Sequence, residues 1–206
     1  MTCSLLVGAG YSQAMAQEHS PVQKEILISV AEQRLAIVEN GEVVEKYPIS
    51  TSRFGVGDGF GTYKTPVGHL KICEKMGTNL PAGAVLKNRR VTGEILPVNA
   101  PGRDPIVTRI LWLEGTDSCN QNARQRGIYI HGTPVERLIG KPASYGCIRM
   151  RSRDVVEVYN LVAVGTPVTI VTEKLPRLRN AERQPPGDML IDNRRAASPA
   201  GPIAAR

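Results

Sequence analysis

The sequence predicts a mostly β domain, a β-sandwich-like mixed sheet with one main helix. Three observations carry this. First, "EILISV" and "RLAIVENGEVVEKYPIS" alternate apolar and polar residues at the period of a half-buried strand. Second, strand-like runs recur along the chain ("GHLKI", "PIVTRILWLEG", "GIYI", "TPVTIV") without the regular alternation with helices of a doubly wound fold. Third, one segment alone, "SRDVVEVYNLVAVG", has a helical period.

The elements follow in order. Asn40 and Gly41 sit between two alternating runs, and both central positions of a type I′ turn need positive φ, so the domain opens as an antiparallel meander. Five glycines between Gly55 and Gly68 then mark a loop. A phosphate-binding loop would lead into a helix N-terminus with free N–H groups, whereas this one runs into Thr65, Pro66 and a strand pattern, which argues against a nucleotide site. Residues 74–105 are rich in Pro, Gly and Arg and aperiodic, which predicts a long surface excursion. In the helical segment Val155, Val158, Tyr159 and Val162 share a face, with Ser152 as N-cap and Gly165 as stop.

With 206 residues, 41% of them apolar and 22% charged, the chain can fill the core of one soluble domain. No run approaches the roughly 18–20 apolar residues that a membrane-spanning helix needs. The net charge of +7 does not point to nucleic acid, because from Lys174 onward seven basic residues against three acids supply +4 of it. Aromatic residues, which single strands stack on, are only 4% of the chain. Residues 1–23 read as a leader, with an A-x-A pattern at Ala14–Ala16 but no basic residue before the apolar run. Residues 24–172 form the domain, and 173–206 have too little apolar content to order themselves. Cys3, Cys73, Cys119 and Cys147 lack metal-ligand spacing, so neither a metal nor a cofactor is expected. A disulfide between Cys73 and Cys119 is an open alternative to free thiols.

Chemistry concentrates in "HGTPVERLIGKPASYGCIRM", residues 131 to 150. A free thiol has a pKa of about 8.5, so a nucleophilic cysteine needs a base or a positive charge beside it. His131 ends an apolar strand and Cys147 follows Gly146, positions at which a rigid scaffold presents side chains to a cleft. A small residue before the nucleophile also lets backbone N–H groups reach an oxyanion. A merely packed thiol is the alternative. If the pair is catalytic, the Cys147 thiol is expected to ionise below its free value.

"IYIHGT" followed by "IGKPASYGCIRM" resembles the signature of the L,D-transpeptidase catalytic domain, or YkuD domain: a histidine, then downstream Ser, His, Gly, Cys, an apolar residue, Arg and Met or Leu. "YPIS", "GTYKTPVGHLKI", "TRILWLEG" and "DVVEVYNLVAVGTPVTIV" resemble the family in the same order, over roughly residues 24 to 172. The resemblance implies an exported enzyme whose partners are peptidoglycan stem peptides, donor and amine acceptor. It implies Cys147 as nucleophile, His131 as base and the Gly132 carbonyl as orienter of the imidazole. The oxyanion is assigned to the Gly146 and Cys147 N–H groups with the Tyr129 hydroxyl. Ser144, Tyr145 and Arg149 are candidate substrate contacts, Arg149 alternatively a brace for its loop. Tyr145 departs from the pattern, standing where the family most often has a second histidine, which puts any contact from that ring in question. A hydrolase with the same Cys/His pair and a non-catalytic wall-binding module are the competing readings.

Overall fold

The computed structural model describes residues 23–177; the expected leader and most of the expected tail lie outside the described residues. The chain forms ten strands among these residues: β1 (Lys24–Ser29), β2 (Arg34–Glu39), β3 (Glu42–Pro48), β4 (Gly68–Met76), β5 (Ala84–Lys87), β6 (Arg90–Ile95), β7 (Ile106–Gly115), β8 (Tyr129–Gly132), β9 (Ile148–Met150) and β10 (Pro167–Val171). The one α-helix among the described residues, α1 (Ser152–Leu161), lies between β9 and β10.

The strands form one mixed sheet in the order β3-β2-β1-β10-β4-β7-β5-β6, with β8 and then β9 branching from β7. Two pairs are parallel, β1 with β10 and β8 with β9. The opening meander is as the sequence predicts, and Asn40 (φ 52°) and Gly41 (φ 81°) take the positive φ values of its turn. Alternation sends Ile26 and Ile28 of β1 and Leu35 and Ile37 of β2 into one buried cluster, together with residues of β4, β7, β8, β9, β10 and α1. The sheet therefore closes over one main core. The other face of β2, Ala36 and Val38, packs with Val43 and Leu175. Leu175 belongs to the segment expected to be solvated. Its N–H donates to Glu32 Oε2 at 2.7 Å and the carbonyl of Glu173 takes the Ser29 hydroxyl at 2.5 Å, so the chain runs on along the sheet past residue 172.

The stretch 74–105 is not a structureless excursion. It completes β4 and then folds into the hairpin β5–β6 through Asn88 and Arg89, both at positive φ. That turn lacks glycine, and β6 is exposed along most of its length, so neither a turn signal nor an apolar alternation marks it. The helix also differs in its caps. Ser152 is the first helical residue and Arg151 the N-cap, with no side-chain cap bond. The Ser152 N–H instead donates to Glu136 Oε1 at 2.8 Å, a partner 16 residues away. At the other end the helix stops at Leu161 rather than at Gly165, and Lys75 Nζ from β4 donates to the carbonyls of Tyr159 (2.7 Å) and Val162 (2.6 Å). The predicted helical face, Val155, Val158, Tyr159 and Val162, is buried in the core.

Candidate active site

His131 is on β8, paired with Ile110 of β7 on one side and in parallel register with Arg149 of β9 on the other. Strand alternation puts Ile130 in the core and turns His131 to the opposite face, where it is only 5% exposed. Its Nδ1–H donates to the Gly132 carbonyl at 2.8 Å; a carbonyl can only accept, so Nε2 holds the lone pair. Burial holds the imidazole down at about 4, against the opposing pull of the Gly132 carbonyl, and the ring is neutral at pH 7. Gly132 has no room for a side chain: a Cβ would stand 2.6 Å from the carbonyl oxygen of Val107. That carbonyl precedes Thr108, a β-branched residue at φ 72° in a bulge of β7, whose hydroxyl accepts from the Gly83 N–H and pairs with Ser152 Oγ.

Cys147 ends a turn built from short polar links. The Ser144 hydroxyl donates to the Cys147 carbonyl at 2.5 Å and accepts from the Gly146 N–H at 3.2 Å. The Ala143 and Ser144 N–H groups both donate to Thr51 O at 2.9 Å, and the Thr65 hydroxyl donates to Gly146 O at 3.0 Å. Gly146 sits at φ 119°, with Lys64 O and Ile128 Cδ1 each 3.3 Å from where a Cβ would be. Only glycine fits both the backbone and the space. The thiol donates to Gly127 O at 3.3 Å. Burial pushes it up to about 11, partly countered by a backbone hydrogen bond at Tyr129 and the charge of Arg126. The expectation of a thiol ionising below its free value is thus overturned, because desolvation outweighs those two attractions. Cys147 and His131 rest as neutral thiol and neutral imidazole.

The two side chains line one cavity of about 150 Å³ with Ser144, Tyr145, Arg149, Asp104 and Ile106. A second cavity of about 220 Å³ touches Cys147 from the side of Phe60, Tyr63 and Arg126. Cys147 and Tyr145 are the residues common to both.

The remaining sequence candidates separate by environment. Ser144 is buried and its hydroxyl is used within the turn. Arg149 is buried with Nη1 on Asp104 Oδ2, and Asp104 also accepts from the Thr133 hydroxyl at 2.5 Å, an arrangement that braces the cavity wall. Tyr145 is 57% exposed; Arg53 Nη2 donates to its hydroxyl and the guanidinium lies over its ring at 4.4 Å. Phe54 and Tyr63 stand 5.6 and 5.7 Å from that ring, centroid to centroid. Tyr129 packs edge-on against Trp112 at 5.6 Å, with its hydroxyl against Gly127. Sequence reasoning missed Arg53, Asp104 and Arg126, which lie in loops with no periodic or motif signal. Cys73 and Cys119 are free thiols, so the open disulfide alternative is not taken up. Among the described residues no group of three or more His, Cys, Asp or Glu side chains is placed to hold a metal ion, and no helix is long and apolar enough to cross a membrane.

Residues 23–170 match the sequence profile of the YkuD L,D-transpeptidase catalytic domain. The chain belongs to this family. It is similar to the putative L,D-transpeptidase YkuD of Bacillus subtilis, 54% identical over 41 residues that cover 20% of this chain and 25% of that protein. The probable L,D-transpeptidase YcfS of Escherichia coli is 29% identical over 173 residues, covering 81% of this chain and 48% of the relative. The aligned parts thus span from a quarter to about half the length of these curated relatives. Among solved structures, L,D-transpeptidase 3 from Mycobacterium tuberculosis in complex with a faropenem-derived adduct aligns with a TM-score of 0.47 and 20% identity, over 72% of this chain and 60% of that one.

Proposed function

We propose that the protein is a cysteine-dependent L,D-transpeptidase acting on peptidoglycan stem peptides. The observation that carries the reading is the shared cavity of Cys147 and His131, with His131 Nδ1 tied to Gly132 so that the basic nitrogen is left for the thiol.

The donor carbonyl approaches the neutral thiol; sulfur forms the C–S bond as its proton passes to His131 Nε2. The charge on the carbonyl oxygen is taken by the Cys147 N–H and by the Gly146 N–H, which exchanges its long bond to Ser144 for the stronger charge-assisted one, with the Tyr129 hydroxyl as a further donor in this reading. Collapse breaks the C–N bond, and His131 returns the proton to the departing D-alanine amine. An acceptor amine then attacks the thioester, loses its proton to His131, and the thiolate leaves and is reprotonated. Resting neutrality suits this cycle, since both partners begin uncharged in a desolvated site and charge develops only with the oxyanion. Two cavities meeting at one sulfur support transfer to a second substrate rather than to water. Tyr145 and Arg149 are the proposed substrate contacts flanking the thiol. A wall substrate also calls for export, which the Ala14–Ala16 pattern supports.

The test is mass spectrometry of the protein with a tetrapeptide donor, with and without a diamino acid acceptor. The expected products are a Cys147 thioester, free D-alanine and, with acceptor, the exchanged peptide; Cys147→Ser yields none of them. Release of the tripeptide acid at the same rate with or without acceptor would make the protein a hydrolase. No adduct at all would favour a wall-binding module.

A further inference from the structure

Asp58 and Arg126 form an ion pair at 2.8 Å with both side chains only 6% exposed. A pair this buried is a poor source of stability compared with apolar replacements, because desolvation of two charges offsets most of their attraction. Its location suggests another duty. Asp58 is in the glycine-rich loop, and Arg126 directly precedes Gly127, whose carbonyl receives the Cys147 thiol. Arg126 Nη1 also reaches Gly57 O at 3.1 Å, and Nη2 donates to Lys64 O at 2.6 Å. Asp58 Oδ2 accepts from the Asn122 N–H at 2.7 Å, so two loops are joined by one pair. Lys64 O is the atom that lies 3.3 Å from the vacant Cβ position of Gly146, so the segment held by Arg126 forms the floor of the nucleophile turn. Arg126 and Cys147 line the same 220 Å³ cavity.

We propose that Arg126, clamped by Asp58, is a positioning residue for the nucleophile: it fixes the glycine-rich loop beneath the Cys147 turn and supplies the cation against which the thiolate develops. This rests on Cys147 being the nucleophile. The other charged or titratable groups around the two cavities do not fill that part. His131 is neutral, Tyr63 and Tyr145 present phenols, and Arg149, paired with Asp104 as Arg126 is with Asp58, lines the other cavity and is not among the charges that act on the thiol. Arg126 is the side-chain charge that draws the Cys147 thiol down against burial.

The test needs no peptide substrate. Wild type, Arg126→Gln, Arg126→Lys and Asp58→Asn are alkylated with iodoacetamide from pH 7 to 10, and the Cys147 peptide is quantified by mass spectrometry, with circular dichroism to confirm folding. Arg126→Gln should react about tenfold more slowly at each pH, equivalent to one unit of thiol pKa. Arg126→Lys should recover most of that rate. Asp58→Asn, which leaves the cation without its counter-charge, should react as fast as wild type or faster even as its unfolding temperature falls. A brace with no electrostatic part would move both loop variants the same way, and that result, or an Arg126→Gln profile lying on the wild-type one, overturns the proposal. Should Asp58→Asn fail to fold, the Lys-against-Gln comparison decides alone. If the alkylation pattern holds while the tetrapeptide gives no adduct, it is the transpeptidase reading that fails.

Discussion

His131 carries two consequences of the same burial. Held near 4 in the folded chain, it binds a proton in the unfolded state at pH values where the native ring stays neutral. The unfolded state therefore binds more protons between about pH 6.5 and 4, and native stability falls as pH falls through that window. Wild type should lose about 2–3 kcal/mol more than His131→Gln between pH 7 and 4.5, read by urea unfolding. Catalysis tests the second consequence. Tyr145 is exposed, and its hydroxyl is anchored by Arg53. With proton transfer resting on His131, Tyr145→His should change kcat with a tetrapeptide donor by about tenfold or less. His131→Ala should lower it about a hundredfold or more. A several-hundredfold gain in Tyr145→His would instead identify Tyr145 as damage to a site that once had a second histidine.

At the scale of elements, Cys147 depends on a turn rather than on a helix. Gly146 at φ 119° is bounded by Lys64 O and Ile128, and the residues that stitch it, Ser144, Thr51 and Thr65, come from three segments. Gly146→Ala should cost roughly 1–3 kcal/mol through backbone strain, lowering the unfolding temperature by several degrees. Acylation should fall further than stability does, because the shift is delivered to Cys147. Retained acylation rate in a destabilised Gly146→Ala protein would show that the turn tolerates movement. The bulge at Thr108 works the same way on β8, since its backbone fills the space a side chain on Gly132 would need.

Across the whole molecule, one core joins the sheet to α1, and a small second cluster closes the outer face of β2 and β3 with Leu175. Leu175 comes after the last strand, so its packing ties the end of the domain to its beginning. Leu175→Ala should destabilise the protein by about 2 kcal/mol, the low end for a buried leucine because the cluster is small and near the surface. Kinetics on the tetrapeptide should be unchanged, since Leu175 is absent from both cavities. A drop in kcat without loss of stability would tie this cluster to the site.

What the sequence determined by itself is what local pattern encodes. Asn40-Gly41 sets its own turn through φ, and the face Val155, Val158, Tyr159 and Val162 sets the buried side of α1. Hairpin β5–β6 stayed hidden because an exposed strand needs no alternation and Asn88-Arg89 reaches positive φ without glycine. The helix caps stayed hidden because Glu136 and Lys75 reach them across 16 and 84 or more residues. Tertiary structure alone decided the protonation of the site. A thiol at about 11 beside an imidazole at about 4 follows from how much water the surrounding loops exclude and from where Arg126 is clamped, and those are properties of many segments packed together rather than of any one of them.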